Sequence, residues 1–215
     1  ESKSERAYQQ IRRMIRTAEL QPGSLINEAD LCRDLDVGRT PVREALKKLA
    51  SEHLIDVYPR RGMFVAGVDP RDLRAISEVR EELEPFAALL AATRRDEADV
   101  REIDSLLNDL AVFDHDSTSQ RPQNELRVLM ELDERIHACV YRASHNPYLA
   151  ADLDNYYTHA LRIWYLGLSH VPHLEEAVLE HREILEAIRD GDALRAQTGM
   201  EKHIQGFEAE IRQAL

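Results

Sequence analysis

The sequence contains one aspartate and three histidines whose types and spacing suit metal coordination: Asp133, His137, His181 and His203. Asp133 and His137 are four residues apart, so on an α-helix they project from the same face. His181 shares a helical stripe with Leu174, Val178, Leu185 and Ile188, and His203 shares one with Ala196, Met200 and Phe207. Burial of a carboxylate and three imidazoles without partners is costly, and one divalent cation would satisfy all four. We therefore predict a buried metal site, with zinc as the first choice and nickel or manganese as alternatives.

Two other interpretations of these four residues stay open. A lone buried histidine is more often a satisfied core residue than a ligand, so the histidines could be purely structural. Alternatively, a metal-activated water on the same centre could hydrolyse a small substrate. That enzyme would need a general base, and no separate carboxylate is obviously placed as one, although Glu134 and Glu180 stay open as candidates. We expect a protein that is not an enzyme.

A nearby arginine, Arg80, raises the question of a bound acid. It shares a helical stripe with Leu73, Ile76, Leu83 and Ala87 and is therefore expected to be buried. A buried guanidinium needs a carboxylate partner. That partner is either Glu84, one turn away, or the acid group of a small effector held between Arg80 and the metal. Asn155, Tyr156 and Arg162 are further candidates for an effector pocket.

The elements that position these residues fall into two parts of different charge. Residues 1–67 contain 12 Lys and Arg against 10 Asp and Glu, a net charge of +2. The remaining residues contain 16 and 30, a net charge of -14, within a chain of net charge -12. A locally basic surface is sufficient for contact with phosphate, because charges interact over only about 8 Å at physiological salt. We predict two domains, at 1–67 and 68–215.

The first part has the element order of a winged helix-turn-helix domain. An amphipathic helix is predicted over residues 4–18, and Asn27 can cap a short helix that ends near Leu35. A tight turn leads into a third helix over 39–51. Two extended segments, 54–58 and 63–65, follow and are joined by a Pro-Arg-Arg-Gly turn, which indicates a hairpin.

The second part is predicted to be an all-α antiparallel helical bundle. Six helices are expected, at about 70–92, 96–114, 121–143, 147–168, 173–189 and 192–213. The fold class is therefore mainly α. No apolar run approaches the length of about 18 residues that a membrane helix needs, so no membrane partner is expected. Cys32 and Cys139 are far apart, which suits a reducing cytoplasm.

The third helix carries a basic stripe beside its apolar face. Arg39, Arg43 and Lys47 recur every four residues, and Thr40 continues the exposed side. A recognition helix needs this arrangement, because its first residues contact base edges while flanking cations contact phosphates. Arg60 and Arg61 at the tip of the hairpin could contact the neighbouring groove. Most basic stripes are only solvated helix faces, but the complete helix-turn-helix-wing order favours binding of double-stranded DNA.

Residues 20–65, LQPGSLINEADLCRDLDVGRTPVREALKKLASEHLIDVYPRRGMFV, resemble the N-terminal domain of GntR-family bacterial transcription regulators. The matching features are the PG turn, the RTPVREAL helix and the RRGMFV wing. The resemblance implies that Arg39, Thr40, Arg43, Arg61 and Gly62 contact operator DNA. The sequence has Asp36-Val37-Gly38 where the family usually has Gly-Val-Ser, so a hydroxyl that could bind phosphate is missing.

Residues 70–212 resemble the FCD ligand-binding domain of the FadR subgroup of this family. The matching segments are VREELEPFAALLAA at 79–92, DERIH at 133–137, HNPYL at 145–149, HREILEAIRDGD at 181–192 and MEKH at 200–203. Many members of that subgroup bind a divalent metal through one aspartate and three histidines, which here correspond to the four residues named first. The resemblance also implies a homodimer.

Together these observations predict a cytoplasmic, homodimeric transcription regulator, most simply a repressor, on a palindromic operator. A small organic acid would bind at the metal and change the relative position of the two DNA-reading heads.

Overall fold

The computed structural model describes residues 2–113, 123–167 and 174–214 of the chain. The elements in these residues are α1 (Lys3–Arg16), α2 (Glu28–Asp34), α3 (Arg39–Ser51), β1 (Ile55–Tyr58), β2 (Gly62–Val65), α4 (Asp72–Arg94), α5 (Glu97–Phe113), α6 (Gln123–Ala143), α7 (Pro147–Gly167), α8 (Leu174–Asp190) and α9 (Ala193–Ala214). The predicted fold class, a winged helix-turn-helix followed by an all-α part, is confirmed. Predicted helix ends at 114, 121, 168 and 173 lie outside the described residues.

Contacts between Cα atoms divide the chain into two compact units. The first comprises Glu1–Leu73 and Thr158–Leu166, and the second comprises Arg74–Tyr157 and Gly167–Leu215. Helix α7 therefore contributes Thr158–Leu166, nine of its 21 residues, to the first unit and its other residues to the second.

The first unit is built on the packing of α1 against α3. Apolar side chains from α1, α2, α3 and the hairpin form its core; the fully buried ones include Ala7, Ile11, Val42, Leu46, Leu49, Leu54 and Val65. The strands β1 and β2 pair antiparallel from Ile55 opposite Val65 to Tyr58 opposite Gly62. This core fixes the orientation of α3, which carries its cations on an exposed face beside the buried one.

Two turns of this unit need unusual backbone conformations. Asp36, between α2 and α3, has a φ of 50°, and Gly62, at the end of the wing turn, has a φ of 105°. A short polar side chain tolerates the left-handed region better than most others, which explains how aspartate replaces the usual glycine before α3. A Cβ at Gly62 would also lie 3.2 Å from Leu25 Cδ1. Glycine therefore suits this position both for its positive φ and for the close approach of Leu25.

The second unit is a bundle of α4, α5, α6, α8, α9 and most of α7. Helix α8 is its most enclosed element: Leu174, Val178, Leu185 and Ile188 are all buried, as the stripe around His181 predicts. Helix α4 continues through Pro85. Across the described ranges, no helix combines the length and the apolar character needed to cross a membrane.

Candidate functional site

The second unit brings the four predicted metal ligands together in its interior. Asp133 and His137 come from α6, His181 from α8 and His203 from α9. One potential ligand atom from each residue lies within 4.8 Å of the others. The four residues are between 0% and 6% exposed. The sequence pattern thus predicted both their burial and their convergence, although the aspartate and the last histidine are 70 residues apart.

The Nδ1 atom of each histidine ring lies close to an oxygen atom of the protein. His181 Nδ1 lies 3.1 Å from the Val178 carbonyl oxygen, and His137 Nδ1 lies 2.8 Å from Glu84 Oε2. These acceptors favour the tautomer that is protonated at Nδ1, which leaves the Nε2 lone pair for a cation.

The third histidine follows the same arrangement. His203 Nδ1 lies 3.1 Å from Glu180 Oε2, and its ring centroid lies 4.0 Å from that of His181. Glu180 is half-exposed, so its carboxylate contacts solvent while it contacts the ring. Each of the three rings therefore has an oxygen atom within 3.1 Å of its Nδ1 atom.

The separation of two of these nitrogens fits a shared ion. His137 Nε2 and His181 Nε2 are 3.2 Å apart. Two nitrogens bound at about 2.1 Å to one ion, at tetrahedral or octahedral angles, lie about 3.0–3.4 Å apart. When both rings carry their proton on Nδ1, two lone pairs face each other at this distance and repel unless a cation lies between them. The donor set therefore fits a divalent metal.

Burial keeps two of the rings in the form that binds metal. It lowers the pKa of His181 well below its usual value and lowers the pKa of His203 to about 3. Neighbouring imidazoles add to both shifts. Both rings are therefore neutral at physiological pH and need lose no proton before they coordinate a cation.

Tyr157 on α7 orients the aspartate. Its hydroxyl donates to Asp133 Oδ2, and its ring centroid lies 4.7 Å from that of His137. Burial and the charge of Asp133 raise the pKa of Tyr157 well above its usual value, so the phenol stays protonated and donates. One oxygen of Asp133 is thus fixed by a neutral donor.

Arg80 forms a buried ion pair with Glu84. Arg80 Nε lies 2.5 Å from Glu84 Oε1, and their side chains are 3% and 0% exposed. Burial alone would raise the pKa of Glu84, but the charges of Arg80 and His137 lower it to about 2. Of the two partners that the sequence leaves open for Arg80, the structure supplies the internal one. Glu84 consequently links Arg80 to a metal-site histidine.

The remaining predicted effector residues lie apart from this pair. Asn155 and Tyr156 are half-buried on α7, and within the described ranges Asn155 Oδ1 has no hydrogen-bond partner. Arg162 belongs to the first unit, where its guanidinium donates to the Ala66 carbonyl oxygen. Burial lowers the pKa of Arg162 to about 10. Arg162 is therefore described with the first unit, whereas the four predicted metal ligands belong to the second.

Sequence reasoning missed three side chains around the cluster: Glu84 as the partner of His137, and the two tyrosines Tyr141 and Tyr157. Tyr141 Oη lies 3.3 Å from His137 Nδ1. It follows His137 by four residues, so the same helical spacing that linked Asp133 to His137 could have identified it. No comparable spacing signal marks Tyr157.

The predicted DNA-contacting residues form an exposed surface on the first unit. Those on α3 are Arg39, Thr40, Arg43 and Lys47, and those in the wing are Arg60, Arg61 and Gly62; all seven are exposed. Arg43 Nε forms an ion pair with Glu28 Oε2 on α2 at 2.7 Å. Gly38 occupies the N-cap position of α3 and makes no side-chain capping bond. The basic stripe is exposed and lies beside the buried apolar face of α3, as the sequence predicts.

Comparison with known proteins identifies both parts of the chain. Residues 3–65 match the gntR family of bacterial regulatory proteins, and residues 75–206 match the FCD domain. An uncharacterized HTH-type transcriptional regulator in an unstable DNA locus of Streptomyces ambofaciens is 32% identical over 95% of this chain and 83% of its own length.

Two further similarities extend over most of the chain. The galactonate operon transcriptional repressor of Escherichia coli strain K12 is 30% identical over 80% of this chain and 81% of its own length. The solved structure of E. coli McbR/YncC has a TM-score of 0.77, 22% identity and coverage of 99% and 98% of the two chains. That structural likeness concerns the fold.

Proposed function

The chain belongs to the GntR family of bacterial regulatory proteins and is a transcription regulator rather than an enzyme. We propose that it is a repressor whose affinity for DNA responds to a small organic acid at a metal centre. The observation that carries this proposal is the pair of facing Nε2 atoms, 3.2 Å apart in a buried cluster of one carboxylate and three imidazoles. The alternative function, a metal-dependent hydrolase, has no support among the relatives, whose names describe regulators.

The proposed metal is zinc, with nickel or manganese as alternatives. Asp133, His137, His181 and His203 would hold it, and their outer partners would keep the donor atoms in place. A bound cation would act as a Lewis acid toward a carboxylate that completes its coordination. The acid is proposed because a relative that represses a galactonate operon has a similar sequence over four-fifths of this chain. Arg80, Asn155, Tyr156 and Arg162 remain predictions as contacts to that acid.

The proposed DNA-binding domain comprises residues 1–67, and the proposed effector-binding and dimerisation domain comprises residues 68–215. In the cytoplasm, a homodimer would place two copies of α3 on a palindromic operator, since the symmetry of the protein matches that of the site. The seven exposed residues of α3 and the wing would contact bases and phosphates. The acid would release or strengthen this contact only if its affinity differs between the two arrangements of the heads.

Metal analysis tests the centre directly. Protein purified without an affinity tag should contain about one divalent ion per chain, because four ligands converge on one position. The variant His181→Ala should contain almost none. His53→Ala is the matched control, because His53 is an exposed histidine of the first unit and belongs to neither group of potential metal ligands among the described residues. If the wild-type protein retains no divalent ion on purification and binds none when zinc is added, the proposal is contradicted.

A ligand screen tests the sensor. Small carboxylates should raise the thermal unfolding temperature of the zinc-loaded protein, and the same acids should have little effect after chelation. The active acids should then change the affinity for promoter DNA of the neighbouring genes. An acid that stabilises the chelated protein equally well would separate acid binding from the metal.

A further inference from the structure

The recognition helix carries one arginine that is held by a neighbouring helix. Arg43 Nε lies 2.7 Å from Glu28 Oε2, with side-chain exposures of 60% and 27%. Glu28 is the first residue of α2, and the preceding Asn27 caps that helix by accepting from the backbone N–H groups of Ala29 and Asp30. Buried Leu31 and Leu46 belong to the common core of α2 and α3. The ion pair therefore joins two backbones that are fixed independently of it.

The remaining cations of the stripe differ from Arg43. Within the part of the chain that the structure describes, Arg39 and Lys47 are exposed and have no carboxylate partner. Lys48 contacts Glu5 on α1 and lies over the ring of Tyr8. Mobile cations suit phosphate contact, which needs charge more than direction, whereas base reading needs a defined direction.

The chemistry of guanidinium explains what the carboxylate can do. A guanidinium offers five N–H groups in a rigid plane, so its edges can bind different acceptors at the same time. A carboxylate at Nε engages the side edge and leaves the end edge, with one N–H from each Nη atom, available. That edge matches the O6 and N7 acceptors of guanine in the major groove.

We propose that Glu28 determines the sequence specificity of this protein by positioning Arg43 for end-on, bidentate contact with a guanine. The inference depends on the proposed role of Arg43 as a base-contacting residue. Glu28 itself contacts no DNA in this arrangement; it restricts the guanidinium to one orientation, and a misdirected arginine would accept other bases or a phosphate.

Selection from a pool of synthetic duplexes with a randomised central segment tests this inference. The full-length protein and its variants would be compared at one salt concentration, because the phosphate contribution varies steeply with salt. Arg43→Ala should lower the preference for guanine at one position of each half-site by about 5- to 150-fold. Glu28→Gln, which keeps the shape but not the charge, should lower the preference at that same position by about three- to tenfold.

Asp30→Asn is the matched control. Asp30 lies in the same first turn of α2, and its Oδ1 atom is 2.9 Å from Arg33 Nη1 rather than near Arg43. Both variants remove one negative charge near the DNA, so both should tighten binding to all sequences alike. Only Glu28→Gln should change the preference at the Arg43 position. In the Arg43→Ala background, Glu28→Gln should have no further effect there, which a general structural effect would not reproduce.

Each remaining outcome has a distinct meaning. If Arg43→Ala changes a base preference and Glu28→Gln leaves it intact, the positioning role of Glu28 is wrong and base reading by Arg43 stands. If Glu28→Gln sharpens the preference, the carboxylate competes with DNA for the guanidinium, which also overturns the inference. If Arg43→Ala changes no preference, both the inference and the proposed reading by Arg43 are overturned.

Discussion

The DNA-reading surface and the metal cluster hold their charges in opposite environments. On α3 and the wing, the cations are exposed, and on α3 they lie beside the face that packs in the apolar core. In the second unit, Arg80, Glu84 and Asp133 are buried with three histidines, and each has a specific polar neighbour. A surface charge can therefore be removed with little effect on folding, whereas removal of a buried charge leaves its partner unpaired.

Helix α4 contains one exposed and one buried Arg–Glu pair, each with its two residues four positions apart. Removing the buried glutamate should have the largest effect on stability. Glu84→Leu leaves the buried Arg80 without its carboxylate and should lower the free energy of unfolding by about 3–5 kcal/mol. Glu78→Leu is the matched control: it removes an exposed partner of Arg74 at 3.2 Å and should cost less than about 1 kcal/mol. Urea denaturation of chelated protein measures both. If both variants lose the same unfolding free energy, buried and exposed charges do not differ in their contribution to stability.

Acid should weaken the second unit through its histidines. In the folded chain His203 has a pKa of about 3, against about 6.5 when unfolded, so the unfolded state binds more protons between these values. Stability is therefore complete above pH 6.5 and falls as the pH is lowered toward 3. Between pH 7 and pH 5, one such histidine should cost about 2 kcal/mol in chelated protein.

His203→Gln checks the origin of that pH dependence. In urea titrations, the variant should lose about 2 kcal/mol less than the wild type over the same pH interval. His53→Gln, which replaces an exposed histidine of the first unit, is the control and should lose as much unfolding free energy between pH 7 and pH 5 as the wild type. An unaltered pH dependence in His203→Gln would mean that other groups carry it.

Substitutions on the exposed surface of α3 should lower the affinity for DNA and leave the free energy of unfolding nearly unchanged. Arg39→Ala should weaken binding to all duplexes alike and reduce the salt dependence of binding by about one phosphate contact, because Arg39 suits contact with phosphate. The free energy of unfolding should stay within about 0.5 kcal/mol of the wild type, because Arg39 is exposed. Fluorescence anisotropy with labelled duplex and urea denaturation give the two values. Loss of stability comparable to the loss of binding would contradict the comparison.

The smallest expected effect lies at the start of the recognition helix. Gly38 has extended φ and ψ of -73° and 170°, and a Cβ there would meet only Pro41 Cδ, at 4.0 Å. Gly38→Ser can therefore add the missing capping bond and should stabilise the chain by a few tenths of a kcal/mol. Gly67→Ser is a control because that position also has free space. A destabilised Gly38→Ser variant would show that the capping geometry is not reached.

Much of this architecture could be predicted from the sequence because each helix carries its own periodic pattern. The bounds of α3 and the burial of His181 and His203 follow from local spacing alone. The contacts of Glu84 with His137, and of Tyr157 with Asp133, join helices more than 20 residues apart and depend on how those helices pack. Local periodicity identifies the buried face of a helix but not the residue that faces it.

The same limit explains the placement of Arg162. Its position on α7 suggests a pocket residue, because Asn155 and Arg162 lie on one face of the helix at a spacing of seven residues. The segment Thr158–Leu166 of α7 nevertheless belongs to the first unit, where Arg162 contacts the Ala66 carbonyl oxygen. Helical spacing cannot reveal that one helix is divided between two units.

The Arg80–Glu84 pair has a consequence for the order in which ligands arrive. The charges of Arg80 and Glu84 cancel, and burial keeps His181 and His203 neutral, so Asp133 is the one ligand of the cluster that brings a negative charge. The two positive charges of a divalent ion would exceed that single negative charge. A carboxylate is therefore repelled before loading and attracted afterwards, so we expect an obligatory sequence of cation first and acid second. Depletion of the ion should accordingly make the protein unresponsive to the acid without altering its DNA-reading surface.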